Sequence, residues 1–237
     1  MRNLRQAGFA GTISLVNPHY SAIEDVAAVK SYRDLAAAPD VAVIAVPPAA
    51  VPSAVAEAGA KGTPAAIIIT AGLGHGPGSL AAQCETAARA TGLRLVGPNC
   101  LGVMRPNAKL NASFAASMPN GGDLALISQS GAIAAGMIEW AAVHDVGFSA
   151  MVSIGDSIDV DFGDLLDYFA LDRSTRAILL YIESIKDARK FMSAARAAAR
   201  GKPVIVVKSG RNAQGAKAAL THTGALAGSD AVYDAAF

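Results

Sequence analysis

Leu124-Ala125-Leu126-Ile127-Ser128-Gln129-Ser130-Gly131-Ala132 is the stretch that decides the fold. A short apolar run feeds straight into a turn of small residues, and an alanine-rich helical stretch follows to about residue 144. A strand without polar alternation is buried on both faces, as in parallel sheets covered by helices. The same pattern recurs in both directions. Strands are predicted at 12–16, 41–46, 66–69, 93–96, 124–128, 149–154, 177–182 and 203–207, with helices at 49–60, 79–91, 131–144, 161–171 and 187–199. The class is α/β, as two doubly wound parallel-sheet units. Ser117-Met118-Pro119-Asn120-Gly121-Gly122-Asp123 reads as the linker, which gives units at 1–120 and 121–237. The ends depart from the pattern. The chain opens on an amphipathic helix from Arg2 to Ala7 instead of a strand, and closes in a helix capped by Ser229-Asp230 that runs to Phe237.

Composition removes several classes of function. A net charge of +1 with 16% charged residues leaves no basic field for nucleic acid. The longest apolar runs, such as 41–46 and 65–69, fall far short of the roughly 20 residues that span a bilayer. Cys84 and Cys100 form neither a disulfide framework nor a metal-ligand spacing, so a reducing cytoplasm is the expected compartment. No apolar signal core follows the charged start.

Three strand-to-helix loops are placed to meet a ligand. The Ser128-Gln129-Ser130-Gly131 turn opens a helix whose free N–H groups suit phosphate, although Ser128 or Ser130 as an ordinary helix cap explains it equally. Leu126 stands where a hydrolase elbow needs glycine, which disfavours a serine hydrolase. Asn99 and Cys100 follow the strand at 93–96, where the alternative is a small buried cysteine in a Gly-Pro turn. The glycine-rich stretch 71–78 has Pro77 at the third glycine position of the dinucleotide fingerprint, and no Gly-x-x-x-x-Gly-Lys motif occurs.

Side chains able to carry chemistry are few. Asp156, Asp159, Asp161, Asp164 and Asp167 fit no EF-hand spacing and read as caps and a solvated helix face. Glu183 ends the strand 177–182, on the same rim as the turn at 130. There it is either a surface glutamate or a carboxylate that fixes a histidine tautomer. His222, in Thr221-His222-Thr223-Gly224-Ala225-Leu226-Ala227-Gly228, is a turn histidine or a nucleophile displayed between a strand and a helix.

Asn17-Pro18-His19-Tyr20, Val46-Pro47-Pro48, Gly97-Pro98-Asn99-Cys100-Leu101-Gly102, Ser128-Gln129-Ser130-Gly131, Tyr181-Ile182-Glu183 and the His222 run occur in the order found in nucleoside-diphosphate-forming acyl-CoA synthetases. Over nearly every residue the chain resembles the α part of the ADP-forming acetyl-CoA synthetases, and more distantly the α subunit of succinyl-CoA synthetase. The resemblance implies a Rossmann-like CoA-binding unit followed by a flavodoxin-like unit. It also implies an acid–thiol ligase that interconverts acyl-CoA, ADP and phosphate with carboxylic acid, CoA and ATP. In this reading His222 is phosphorylated and Glu183 orients it. Ser128, Gln129, Ser130, Gly131 and Gly224 hold phosphate, while Val46, Pro47, Pro48, Asn99 and Cys100 line CoA. No metal site is implied within the chain; ATP/ADP and Mg²⁺ come with an ATP-grasp β subunit or domain, and an oligomer is expected.

Two departures accompany the resemblance: the ATP-grasp region is not in this chain, and the opening segment differs. The family opens with a strand and a glycine-rich CoA loop, and this chain begins at what would be the following helix. Flanking strands are therefore expected to expose unpaired edges and apolar surface. A second reading, from another class of function, is a non-catalytic CoA-sensing module or inactive fragment, against which the intact His222 loop argues.

Overall fold

Two parallel ladders carry the chain, and every strand predicted from residue 41 onward falls into one of them. The computed structural model describes residues 1–209. In order the elements are α1 (Arg2–Gln6), β1 (Leu15–Val16), β2 (Ala22–Ile23), β3 (Val26–Val29), β4 (Val41–Ile44), α2 (Val51–Lys61), β5 (Ala65–Ile68), α3 (Leu80–Thr91) and β6 (Arg94–Val96). They continue with β7 (Gly102–Arg105), β8 (Leu110–Ser113), β9 (Gly121–Ser128), α4 (Gly131–Val143), β10 (Phe148–Ser153), α5 (Phe162–Leu171), β11 (Ala177–Ile182), α6 (Ala188–Ala199) and β12 (Val204–Lys208). The expected helix ending at Phe237 and the His222 loop lie outside the described residues.

The first ladder is a parallel sheet in the order β4-β5-β6, and the second is a six-stranded sheet in the order β12-β11-β9-β10-β7-β8. Its β9, β10, β11 and β12 are parallel, whereas β7 runs antiparallel to β10 and β8 antiparallel to β7. A small sheet, β1-β3-β2, stands apart from both. The class is α/β with sheets in which parallel pairing dominates. The 102–113 hairpin and the strands at 22–29 carry no sequence signal of the expected kind. Both are short, polar-interrupted pieces whose pairing is set by neighbours. The hairpin lies before residue 120 in sequence yet hydrogen-bonds into the second sheet. Gly121 and Gly122, read as linker, begin β9; a Cβ on Gly122 would sit 2.3 Å from the Gly147 backbone, so glycine there serves a close chain crossing.

Helices start and stop where local chemistry directs. Ser79 caps α3 by accepting the Ala82 N–H at 3.1 Å, Asp187 caps α6 from the Lys190 N–H at 3.0 Å, and Asp161 and Asp164 form a reciprocal capping box on α5. Strand alternation then sorts the core. Ala125 and Ile127 of β9 face Phe162, Leu166, Phe169, Phe191 and Ala194 of α5 and α6, while Leu126 faces Ala134 and Ile138 of α4 on the other side. In the first ladder Ala42, Ile44, Ala66 and Ile68 pack against Val51, Val55, Ala81 and Ala88 of α2 and α3. Ile67, on the opposite face, meets Cys100 and Ala112, with Leu4 and Leu110 alongside. The hairpin thus covers the face that those helices leave open.

An ion-pair network ties β6 to the second unit. Arg94 Nε donates to both carboxylate oxygens of Asp159, at 3.0 and 3.1 Å, and its guanidinium lies 3.5 Å from Asp164. Lys190 reaches Asp161 at 3.0 Å and Asp164 at 2.6 Å. Burial alone disfavours charge on Asp164. The Lys190 hydrogen bond, the Asp161 amide and the two cations outweigh it and hold the carboxyl below its usual range. A carboxylate with a depressed folded pKa contributes stability that is complete above the unfolded value of about 4 and is lost as pH falls through the folded value. Denaturant titrations from pH 7 down to pH 3 should therefore show unfolding free energy falling below about pH 4. Asp164→Asn should start lower at pH 7 and fall less over that acid range; equal slopes would contradict the assignment.

Among the described residues β4 and β1 keep one unpaired edge each, and Val41, Val43 and Val16 are 45%, 43% and 38% exposed. Residues 1–120 alone would add the loss of β10 as partner for the hairpin. That fragment is expected to self-associate or melt without cooperativity in calorimetry and sedimentation; a sharp monomeric transition would count against this.

Candidate functional site

At the carboxyl rim of the six-stranded sheet, Ser153, Ser128 and Tyr181 stand level across β10, β9 and β11. Beyond Ser128 the chain turns into α4. Ser128 Oγ donates to the Ser130 carbonyl at 2.8 Å and accepts the Ser130 N–H at 3.2 Å, so this buried hydroxyl serves the turn itself. Ser130 Oγ accepts the Ile133 N–H at 3.3 Å as the helix cap and keeps a proton to donate. Toward the rim the turn offers the first N–H groups of a 13-residue helix, with the positive end of its dipole.

Glu183 arrives at the same rim from β11 and is only 8% exposed. Gln129 meets it there. Gln129 Oε1 accepts the Glu183 N–H at 2.6 Å and the Ser184 N–H at 2.9 Å, and the Gln129 N–H donates to the Tyr181 carbonyl at 3.2 Å. Burial, followed by the charge of Glu183, pushes the Tyr181 phenol up. Ser128, Gln129, Ser130, Gly131 and Glu183 are therefore brought together, as the sequence predicts. His222 and Gly224 lie outside the described residues.

The first ladder presents its own carboxyl rim, stitched along its length. Thr70 Oγ1, after β5, donates to the Val46 carbonyl after β4 at 2.7 Å, and the Asn99 N–H, after β6, donates to the Thr70 carbonyl at 3.0 Å. Pro47 and Pro48 are exposed just beyond Val46. The Gly97-Pro98 peptide is cis and Asn99 adopts φ of 57°, in the left-handed region. Asn99 and Cys100 face opposite ways. Asn99 is exposed, whereas Cys100 is 2% exposed and directs its Sγ at the Ile68 carbonyl, 3.3 Å away. Burial pushes its thiol up to about 12, and that of Cys84 to about 11, so neither is a thiolate at neutral pH. Cys100 fills the core under the loop rather than lining a ligand surface.

The two rims meet. The Leu101 N–H donates to Ser153 Oγ at 2.9 Å, the Asp156 N–H to the Pro98 carbonyl at 3.0 Å and the Ile158 N–H to the Gly97 carbonyl at 3.1 Å. Asn99 Nδ2 adds a bond to Asp156 Oδ1 at 3.2 Å. Lys186, just past β11, closes the seam by donating to the Asp156 carbonyl at 2.7 Å and the Ser157 carbonyl at 3.3 Å. Asp161 and Asp164 do serve as caps, but Asp156 and Asp159 do not: they hold the first unit at Asn99 and Arg94. Sequence reasoning missed Ser153, Gly155, Asp156 and Lys186 as site builders. The available signal was the position of 153–156 at the carboxyl end of a predicted strand, the same criterion that selected the other loops.

Comparison with known proteins matches two parts of the chain to two domain families. Residues 121–237 match the succinyl-CoA ligase like flavodoxin domain, and residues 1–106 match a CoA binding domain. The chain is 44% identical, over its full length, to the α subunit of an ADP-forming acetate–CoA ligase of Pyrococcus furiosus. It is 43% identical to an ADP-forming acetate–CoA ligase of Methanocaldococcus jannaschii, again over its full length. The chain belongs to the nucleoside-diphosphate-forming acyl-CoA synthetase family. A solved acetyl-coenzyme A synthetase of Candidatus Korarchaeum cryptofilum, in complex with phosphate and ADP, superposes over the whole chain with a TM-score of 0.93 at 36% identity. This synthetase-family chain spans 53% and 33% of the two relatives and 52% of the Korarchaeum chain.

Gly155 is the tightest point of the seam. Its φ is +51°, and a Cβ would sit 2.2 Å from the Pro98 carbonyl oxygen and 2.4 Å from that of Asn99. Gly155→Ala therefore combines a left-handed alanine with a clash against backbone, and should destabilise the chain by more than about 2 kcal/mol. Chemical denaturation measures this; a cost below about 0.5 kcal/mol, the usual range of surface substitutions, would mean that the seam yields freely.

Proposed function

We propose that this chain is the α part of an acyl-CoA synthetase that works with an ATP-grasp subunit or domain. The observation that carries the reading is the meeting of two rims. One holds Val46, Pro47, Pro48 and Asn99, and the other holds the α4 N-terminus and Glu183. The reading puts CoA on the first and phosphate chemistry on the second. Phosphate oxygen attacks the thioester carbonyl of an acyl-CoA; the C–S bond breaks, the CoA thiol leaves and an acyl phosphate remains. The phosphoryl group then passes to His222, releasing the carboxylate, and from the phosphohistidine to ADP on the partner. The whole sequence is reversible.

Each role follows from charge. The α4 N–H groups oppose phosphate charge, an effect of up to ~2 kcal/mol in a partly buried site. Glu183 orients the imidazole and stabilises its positive charge. Exposed Asn99 faces the thiol end of CoA, and the exposed prolines flank it along β4. Among the described residues no group of three or more His, Cys, Asp or Glu is placed to hold a metal ion, and the reading assigns Mg²⁺ to the partner. No described helix is long and apolar enough to cross a membrane.

The test is acid-labile phosphate incorporation from labelled ATP and Mg²⁺ in the presence of an ATP-grasp partner. Wild-type chain is expected to take label and His222→Asn to take none. Absence of label from both, with a partner proven active on another α part, would overturn the reading and leave a CoA-binding module without the relay.

A further inference from the structure

We propose that Gln129 is a positioning residue for Glu183 and does not itself bind phosphate. The inference rests on the role given to Glu183 in the proposed function. Gln129 stands in the turn whose other members face a helix N-terminus, which is the reason for assigning it to phosphate. Its side-chain oxygen is committed elsewhere. Oε1 accepts both the Glu183 N–H at 2.6 Å and the Ser184 N–H at 2.9 Å. Two converging N–H donors admit only the oxygen, so the orientation of the amide is fixed by chemistry. Nε2 lies 3.5 Å from Ser184 Oγ, a long contact on the same segment. The backbone of Gln129 is fixed in turn, its N–H donating to the Tyr181 carbonyl at 3.2 Å. Turn and strand end thus form one closed unit: Tyr181 holds Gln129, and Gln129 holds the two residues that follow β11.

The consequence is geometric. A buried carboxylate at the end of a strand has its side-chain direction set by the two peptide planes that flank its Cα, here those carrying the Glu183 and Ser184 N–H groups. Those are the two amides that Gln129 pins. Without the oxygen, two N–H groups on this segment lose their acceptor, and the segment must move to recover one. The α4 N-terminus and Glu183 are then no longer held at a fixed separation, although each remains present.

Gln129→Met keeps the volume and removes the acceptor, whereas Gln129→Glu keeps the acceptor. Residue-resolved amide exchange on the full chain, with phosphorylation kinetics in the presence of the ATP-grasp partner, separates the possibilities. In Gln129→Met the Glu183 and Ser184 amides should exchange about tenfold faster, and the phosphorylation kcat should fall at least about tenfold with KM for ATP unchanged. Gln129→Glu should keep the protection and recover most of the rate. A fall in rate with exchange unchanged would overturn the proposal in favour of direct phosphate contact, and faster exchange at full rate would overturn it in favour of a structural clamp alone. Unlabelled wild-type chain would instead overturn the relay reading, and the catalytic half of this proposal with it, while exchange still decides whether the clamp exists.

Discussion

Everything in this molecule depends on one seam, where the loop after β6 lies against the loop after β10. A single neutral hydrogen bond contributes only about 1 kcal/mol. Here backbone N–H bonds from Asp156 and Ile158, the Leu101 N–H bond to the Ser153 hydroxyl and the Asn99–Asp156 contact act on a handful of residues at once. The close approach is possible because Gly155 occupies a left-handed conformation where a Cβ would strike the Pro98 and Asn99 carbonyls. The ion pairs of Arg94 with Asp159 and Asp164 secure the same joint at the N-terminal end of α5, where Lys190 holds Asp161 and Asp164.

The seam explains why neither unit reads as self-sufficient. The first ladder leaves one face to be covered by a hairpin that belongs by hydrogen bonding to the other sheet. The second ladder takes its antiparallel edge from residues before 120. Burial of Cys100 and Ala112 with Ile67 at this crossing makes the association apolar as well as polar. Parallel sheets place their chemistry at strand carboxyl ends, and joining two of them by those ends brings six loops into one region. A thioester ligand and a phosphate both need such a region, one along an extended rim and the other at a helix N-terminus.

Much of this was legible from sequence, for physical reasons. Runs such as Ala125-Leu126-Ile127 and Ile178-Leu179-Leu180 admit only buried parallel strands, and Ser79, Asp161 and Asp187 announce their helices by cap chemistry. β2, β3, β7 and β8 did not announce themselves, because they are short pieces without a long apolar run, and the hairpin is placed by the pairing of β7 with β10, distant in sequence. Ser128, Gln129, Ser130, Gly131 and Glu183 were found by their position at strand ends. Cys100 was read by position too, yet position alone cannot tell which of two neighbouring side chains a left-handed Asn99 turns inward. Asp156 was hidden among aspartates that cap, since the Asn99 amide it accepts from lies on a different unit.

The central claim is that both rims form one site. A crystal structure of the full chain with CoA and phosphate tests it most directly. The account predicts CoA along Val46, Pro47 and Pro48 with its thiol end at Asn99, and phosphate on the first N–H groups of α4, across the seam. CoA bound away from the β4–β6 rim, or phosphate held at a site unconnected with the 128–131 turn, would contradict it.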